Sequence, residues 1–165
     1  MAVELRPMQA RDIDAIVHLS LLAWEPVFAS FRAVLGPAIY TELYPDWKTS
    51  QQSAVEAMCR DTAKYTVWVA ERDGVVAGFI LYDLNQQERV GEVQLLAVHP
   101  AHQNLGIATR LNRLALREMK TQGMKLAVVG TGGDAGHAPA RAAYEKVGYT
   151  ALPLVRYYKA LTDDA

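Results

Sequence analysis

The stretch V-H-P-A-H-Q-N-L-G-I-A, residues 98–108, combines residue types that could bind an anion through the backbone. It lies between an apolar run, residues 92–98, and a segment with helical periodicity that begins near Gly106. The first amides of a helix have no partner within the helix and lie at the positive end of its dipole. A glycine there lets an anion approach these amides closely. The stretch therefore predicts a cradle for a phosphate or pyrophosphate, and a plain strand–loop–helix connection is the alternative.

The histidines of the chain lack the spacing of a metal site. His99 and His102 share one short irregular turn, His137 lies further along the chain, and no cysteine is near any of them. This spacing matches none of the common zinc patterns. The sequence also contains neither G-x-x-x-x-G-K-[ST] nor a G-x-G-x-x-G after an N-terminal strand. We therefore expect no metal, and a phosphate site of another kind.

The pattern of apolar residues predicts the elements that position this turn. Asp73-Gly74 favours a hairpin between two strands, and an apolar stripe followed by Gly123 indicates a helix over residues 107–120. Strands are predicted at residues 3–6, 65–71, 75–84, 90–98, 124–130 and 149–161, the last interrupted at Pro153. Other helices are predicted at residues 12–24, 36–47, 49–62 and 139–147.

The order of these elements predicts an α/β fold of the α+β type. Its central sheet is mixed and largely antiparallel, because the three middle strands form a meander, and helices flank it. Pro26 is expected to end or kink the first helix, and Gly78 to mark a bulge. We expect a single domain over residues 2–160, followed by a frayed tail at residues 161–165.

The composition is that of a soluble globular protein. Of the 165 residues, 51% are hydrophobic and 21% are charged, and the formal net charge is -1. This balance disfavours nucleic acid or an anionic membrane as a partner. The N-terminus carries charges where a signal peptide needs an apolar core, and no apolar run approaches the ~20 residues of a membrane helix. With one cysteine, Cys59, the chain is predicted to be cytoplasmic.

Two segments together resemble the GNAT superfamily of N-acetyltransferases. L-L-A-V-H-P-A-H-Q-N-L-G-I-A-T-R-L resembles its acetyl-CoA signature, Gln/Arg-x-x-Gly-x-Gly/Ala, through Gln103, Gly106 and Ala108. Further along, H-A-P-A-R-A-A-Y-E-K-V-G-Y is similar to a second family motif, which contains Tyr144. The opening residues and the element order also resemble the family, so the resemblance covers nearly the whole chain. It implies the GNAT acyl-CoA N-acyltransferase fold and acetyl-CoA as co-substrate.

The resemblance implies a set of cofactor-binding residues, most of which would act through the main chain. Leu96, Ala97 and Val98 would bond to the pantetheine arm. The pyrophosphate would lie on the backbone amides of a turn that Gln103 borders. These amides belong to Asn104, Leu105, Gly106, Ile107, Ala108 and Thr109. His137 stands where the family often has an asparagine that contacts the cofactor. A hydrogen bond to the cofactor, a basic role and a position in solvent all stay open for it.

The resemblance also implies catalytic residues. Tyr144 matches the usual general acid, which would protonate the departing CoA thiolate, and a core tyrosine is the alternative. Glu92 is the candidate general base, because several family members carry a catalytic glutamate there; Asp83 and Asp134 are weaker candidates. No nucleophile constellation surrounds Cys59, so we expect direct transfer from thioester to amine in a ternary complex.

The acceptor is expected to be a primary amine of a small molecule or a peptide, and the motifs do not specify it further. Aromatic residues in the segments that cover the acceptor site in the family predict an aromatic slot, with core or dimer packing as the alternative. These residues are Trp24, Phe28, Tyr40, Tyr44 and Trp47. A homodimer is common in the family. The alternative functions are a non-catalytic CoA-binding sensor domain and a nucleotide-binding module, and the missing Walker lysine counts against the latter.

Overall fold

The computed structural model describes residues 2–161, which form a five-stranded sheet with helices packed on both faces. The strands are β1 (Val3–Pro7), β2 (Tyr65–Arg72), β3 (Val75–Asn85), β4 (Val90–Val98) and β5 (Leu126–Val129). The helices are α1 (Ile13–Leu43), α2 (Trp47–Arg60), α3 (Ile107–Thr121) and α4 (Ala138–Lys146). Short 3-10 turns occupy Ala10–Asp12, Pro100–His102 and Ala135–His137.

The sheet is mixed and largely antiparallel, as the sequence predicts. Strands that follow one another in the chain are neighbours in the sheet; β1 to β4 pair antiparallel, and β4 pairs with β5 in parallel. Asp73 and Gly74 have φ values of 55° and 79°. A two-residue hairpin turn whose twist matches that of its strands requires positive φ at both central residues. The register between β2 and β3 shifts beside Gly78, where the sequence predicts a bulge.

The parallel pair of strands separates halfway along β4. Val90 to Val93 pair with Leu126 to Val129, but β5 ends at Val129 while β4 continues to Val98. A bulge in β4 coincides with this point, because Leu81 faces Leu95 and Tyr82 faces Val93, which leaves Gln94 as the extra residue. Beyond Val93, therefore, the edge of β4 that faces away from β3 has no strand partner among residues 2–161.

Two apolar cores lie on opposite faces of the sheet and meet in β3. Phe79 and Leu81 belong to the core under α1 and α2, and Ile80 and Tyr82 belong to the core under α3. Successive residues of a strand point to opposite faces, so a strand covered on both sides reads as a continuous apolar run. This central burial holds β4, and the turn that follows it, in a fixed position.

Helix α1 does not end at Pro26. It continues through that proline and is interrupted at Gly36, whose φ of 75° and ψ of 165° are not helical. Gly36 has the positive φ that glycine tolerates best, so the kink forms there. By length and composition, this helix is apolar enough to cross a membrane. Core helices share this property, and Ile16 and Leu19 of α1 are buried in the core.

The prediction of a final strand at residues 149–161 is wrong, because the described residues 150–161 have no regular secondary structure. This segment, which we call the C-terminal arm, exposes between 75% and 90% of its main apolar side chains: Leu152, Leu154, Val155, Tyr157 and Leu161. Its end lies beside residues 37–43 and bounds an open groove of about 750 Å³. A strand needs a hydrogen-bonded neighbour, and the arm has none among residues 2–161. The predicted frayed tail lies outside the described residues from 162 onward.

Candidate active site

The turn between β4 and α3 has the backbone geometry of an anion cradle. Asn104 and Gly106 have φ values of 62° and 74°, and Gly106 is the N-cap of α3. The preceding 3-10 turn is closed by His99, whose Nδ1 accepts a hydrogen bond from the Ala101 amide at 3.1 Å. Within residues 2–161, no backbone amide from Gln103 to Thr109 donates to another protein group. Successive unpaired amides at a helix start provide several donors for one anion.

The space in front of this cradle is open. A Cβ atom placed on Gly106 would meet nothing within 4 Å, and Leu105 is 48% exposed. Behind the cradle, Ile107 is buried and anchors the first turn of α3. A Cβ atom on Gly78 would lie 2.9 Å from Cγ2 of Ile107, so this glycine lets β3 approach the helix start closely.

The predicted pantetheine-binding strand is the part of β4 that has separated from β5. Leu96 and Val98 are partly buried against the α3 core, and Ala97 is buried in the core under α1 and α2. The side chains are therefore occupied by packing, and only backbone groups on the unpaired edge remain for a ligand. Gln103, at the other end of the turn, donates through Nε2 to the Val98 carbonyl at 3.4 Å. This contact joins the end of the strand to the turn that forms the cradle.

Tyr144 lies in α4 and is buried, with 8% of its surface exposed. Its ring packs edge-on against Tyr149, with the ring centroids 5.7 Å apart. Burial, reinforced by the nearby Tyr149, raises the pKa of Tyr144 to about 12. The phenol therefore stays protonated across the physiological range and can act only as a proton or hydrogen-bond donor to a developing anion.

Glu92 lies in β4 before the strands separate. It is exposed, and it is paired with Asp83 of β3 on one side and with Val128 of β5 on the other. Gln94, the bulged residue, donates from Nε2 to Oδ2 of Asp83 at 3.0 Å. The two predicted carboxylates are thus neighbours across the sheet, and the side chain of Glu92 is surrounded mainly by solvent.

The third predicted carboxylate, Asp134, connects two side chains that are far apart in the sequence. Its Oδ1 lies 2.5 Å from Nδ1 of His137, and its Oδ2 accepts from Oγ of Ser30 in α1 at 2.5 Å. The Gly136 amide donates to both Oγ of Ser30, at 3.1 Å, and Oδ2 of Asp134, at 3.2 Å. Burial alone would raise the pKa of Asp134, but the hydrogen bonds from Ser30 and His137 outweigh it and lower the pKa below its usual value.

Arg141 and the loop glycines support this arrangement. The guanidinium of Arg141 donates to the carbonyl oxygens of Gly132 and Asp134, at 2.6 and 2.7 Å. A Cβ atom on Gly132 would collide with Asp134 and His137, and one on Gly136 would lie 2.6 Å from Cβ of Ser30. These glycines therefore allow close packing around the Asp134 carboxylate.

Aromatic side chains of α1, its C-cap and α2 form a compact cluster next to His137, which we call the aromatic wall. Its members are Phe28, Phe31, Tyr44 and Trp47. Phe28 stacks on Trp47 at 4.3 Å between centroids, and Phe31 stacks on Tyr44 at 5.5 Å. The ring of Phe31 also lies 5.3 Å from that of His137. Of the predicted aromatic set, Trp24 packs against the core instead, while Tyr40 contacts Tyr44 at 5.5 Å. Phe31 was missed, because one phenylalanine in a long helical segment carries no distinguishing signal.

The described part of the chain offers neither a cluster of metal ligands nor an exposed cysteine. Residues 2–161 contain no group of three or more His, Cys, Asp or Glu side chains that could hold a metal ion. Cys59 is 1% exposed in α2, and burial raises the pKa of its thiol to about 11. A buried, protonated thiol is a poor nucleophile.

The mixed sheet with separated parallel strands and flanking helices agrees with the GNAT fold that the two motifs imply. A family profile described as "Acetyltransferase (GNAT) family" matches residues 35–149. The match covers more than half of the chain, so the protein belongs to this family, as its two motifs predict.

Curated relatives match the chain over only part of its length. A mycothiol acetyltransferase of Streptomyces avermitilis is 35% identical over 82 residues, which are 50% of this chain and 26% of the relative. A mycothiol acetyltransferase of Streptomyces bingchenggensis is 33% identical over 95 residues, 58% of this chain and 30% of the relative. The matched region thus spans less than a third of the length of these relatives.

Solved structures match the fold over nearly the whole chain. The PaiA N-acetyltransferase from Thermoplasma acidophilum, solved with coenzyme A, has a TM-score of 0.69 at 18% identity and covers 91% of each chain. The aminoglycoside acetyltransferase AAC(6')-Iy, solved with a CoA–acetylneamine bisubstrate analogue, has a TM-score of 0.68 at 15% identity, over 98% of this chain and 100% of that one. At these identities the likeness establishes a common fold.

Proposed function

We propose that this protein is an N-acetyltransferase that transfers the acetyl group of acetyl-CoA directly to a primary amine. The observation that carries the proposal is the run of unpaired amides from Gln103 to Thr109, directly after the unpaired edge of β4. A pyrophosphate on the amides would place the pantetheine arm along that edge. A lone phosphate would use only the amides, whereas CoA would use both the amides and the strand edge.

The separation of β4 from β5 supports the placement of the thioester. Beyond Val93 the backbone groups of β4 need hydrogen-bond partners, and the amide groups of a pantetheine arm can provide them in the manner of a strand. A backbone amide near Leu96 would then polarise the thioester carbonyl, as an oxyanion hole does. The structure offers no competing use for this edge within residues 2–161.

Tyr144 supports the chemical step. In the proposed reaction the amine nitrogen forms a bond to the acetyl carbon, the carbon–sulfur bond breaks, and the sulfur leaves with the electron pair. The protonated phenol of Tyr144 would donate its proton, or a hydrogen bond, to that sulfur. The amine must lose one proton in the same reaction, and Glu92 is the base that the family resemblance implies.

A small-molecule amine is the proposed acceptor class. The curated relatives are named for mycothiol, and the AAC(6')-Iy structure holds an acetylneamine analogue. In this chain the rings of Phe28, Phe31, Tyr44 and Trp47 form an aromatic wall beside the loop after β5. Such rings favour an organic amine over an inorganic one, since they can pack on a carbon frame or hold an ammonium group over a ring face. A cytoplasmic location remains the expectation from the sequence.

The test is turnover of acetyl-CoA with a panel of primary amines, followed by the release of free thiol with a chromogenic reagent. The wild type is compared with Tyr144→Phe, which keeps the buried ring and removes only the hydroxyl. We expect amine-dependent thiol release that falls at least tenfold in the variant. If acetyl-CoA raises the melting temperature but no amine is acetylated, the non-catalytic sensor function replaces the proposal. If CoA does not bind, the cradle assignment is wrong as well.

We also propose that two copies associate through the C-terminal arm. The main apolar side chains of the arm are exposed, and the outer edge of β5, with Leu126 and Val128 exposed, is unpaired within residues 2–161. An exposed apolar strand edge is a template for pairing with another chain. Sedimentation analysis should therefore detect a dimer, and Leu154→Arg should shift it towards monomer. A monomer at all concentrations used would refute this proposal.

A further inference from the structure

The sequence leaves the general base open, and the structure assigns the loop after β5 to this role. On the premise of the proposed acetyl transfer, we infer that His137 accepts the proton of the amine through Nε2, and that Asp134 and Ser30 are positioning residues for it. Neither the motif resemblance nor the named relatives attribute this function to the three residues.

The hydrogen bonds around Asp134 determine which nitrogen of His137 is free. The carboxylate can only accept, so Nδ1 of His137 must carry the hydrogen that joins it to Oδ1. The other ring nitrogen, Nε2, then has the free electron pair. A carboxylate that fixes the tautomer in this way also stabilises the imidazolium after proton transfer. His137 is therefore prepared to accept a proton at Nε2.

The carboxylate itself is held in one orientation. Its second oxygen, Oδ2, receives Oγ of Ser30 at 2.5 Å and the Gly136 amide at 3.2 Å. Ser30 lies in α1, the helix that provides Phe28 and Phe31. The same contact therefore ties the loop to the aromatic wall. Small residues are required at Gly132 and Gly136, because a side chain at either would push Asp134, His137 or Ser30 apart.

The location of His137 suits a base for the acceptor amine. The loop begins directly after Val129, where β5 leaves β4, and that separation is the proposed thioester groove. On its other side the imidazole contacts the ring of Phe31. The side chain of His137 is 15% exposed, so its surroundings are mostly protein. An amine held against the aromatic wall would reach the thioester past this ring.

Glu92 lacks these features. It is exposed, Asp83 is its neighbour across the sheet, and no hydrogen bond within residues 2–161 orients it. The Asp134 carboxylate is oriented by three hydrogen bonds, from Ser30, Gly136 and His137, and Arg141 braces the loop. In the proposed step the proton moves from the amine nitrogen to Nε2 of His137. The departing sulfur receives a separate proton or hydrogen bond from Tyr144, so the two transfers balance.

The kinetic test compares His137→Gln with the wild type in the thiol-release assay, with neamine, spermidine, glucosamine and an alanine-terminated peptide as acceptors. We expect kcat to fall about a hundredfold or more while the KM for acetyl-CoA stays within about threefold. His18→Gln is the matched control, because His18 is an exposed histidine on α1 far along the chain from both motifs. If the wild type acetylates an amine and His137→Gln retains kcat within threefold, the inference is wrong while the proposed function stands. A larger loss in Glu92→Gln than in His137→Gln would also overturn it.

Asp134→Asn tests whether the role of His137 depends on which ring nitrogen carries the hydrogen. The Gly136 amide and the Ser30 hydroxyl would direct the amide oxygen to the Oδ2 position, so the amide nitrogen would face Nδ1 of His137. That nitrogen would donate and force the hydrogen of the imidazole onto Nε2, where it blocks proton acceptance. We expect a loss of kcat comparable to that of His137→Gln.

Nitrogen-15 NMR of the histidines tests the same point without any acceptor. The neutral imidazole of His137 should carry its hydrogen on Nδ1 in the wild type and on Nε2 in Asp134→Asn. An Nε2–H form in the wild type would refute the inference whatever amine is used. If the tautomers are as expected but the wild type transfers acetyl to none of the four amines, the inferred role in this reaction is rejected together with the proposed function.

Discussion

Gly106→Ala tests the amide cradle directly. Gly106 has a φ of 74°, and an alanine in the left-handed region costs about 1 kcal/mol or somewhat more. No atom lies within 4 Å of the added Cβ, so the cost is backbone strain alone. For a chain of 165 residues, a loss of 1 kcal/mol lowers the melting temperature by about 2–4 °C. The effect on stability should therefore be small.

The effect on CoA should be larger than the effect on stability. The methyl group would stand on the open side of the cradle, where the anion must approach the amides. A hydrogen bond to a charged group contributes about 1.5–3 kcal/mol, so the loss of one such bond weakens binding by at least about tenfold. Titration calorimetry with CoA measures this change, and thermal denaturation without ligand measures the strain.

Gly74→Ala is the matched control. Gly74 has a φ of 79°, its added Cβ also meets nothing within 4 Å, and it lies in the β2–β3 hairpin. Its loss of melting temperature should equal that of Gly106→Ala, while its affinity for CoA stays that of the wild type. If both variants bind CoA as the wild type does, the amides of residues 104–109 do not hold the pyrophosphate and the reasoning fails.

Three further predictions concern stability and the loop after β5. Asp12→Asn should lower the free energy of unfolding by about 1–3 kcal/mol at pH 7, because Asp12 is buried and bonds to Arg6. That bond lowers the pKa of Asp12, so its stabilisation is present above about pH 4 and is lost as the pH falls through the lowered pKa; urea titrations should show the two proteins converging in acid. Asn112→Leu should leave the melting temperature unchanged or raise it, since both amide atoms of this fully buried side chain have no partner in residues 2–161, and a marked decrease would reveal a buried water. Gly132→Ala should reduce kcat without changing the affinity for CoA, and equal losses in both would contradict the role given to the loop.

The elements near the cradle could be predicted from local sequence. β4 was expected at residues 90–98 and is found at Val90–Val98, and α3 was expected at residues 107–120 and ends one residue later. These segments have strong periodicity and clear ends, namely Pro100 before the turn and Gly123 after the helix.

The errors arose where distant contacts override local preference. Pro26 lies inside α1, because the packing of that helix on the sheet outweighs one missing hydrogen bond. The apolar run at residues 149–161 reads as a strand, but no neighbour pairs with it among the described residues. The bond from Ser30 to Asp134 joins residues 104 positions apart, and no pattern in a single sequence indicates such a pair. The role of base that the resemblance implies for Glu92 is untested, and the inferred role of His137 is the competing assignment.

The burial of Cys59 has a practical consequence for kinetics. The only cysteine of the chain lies on the buried face of α2 with Val55, and its thiol is both shielded and protonated in the native state. A chromogenic thiol reagent therefore reacts with released CoA at once, but with the protein only when α2 opens away from the sheet. The slow phase of colour development then measures the opening equilibrium of this region. A single assay would therefore measure both turnover and the local stability of the fold. Each variant would then include its own control for folding.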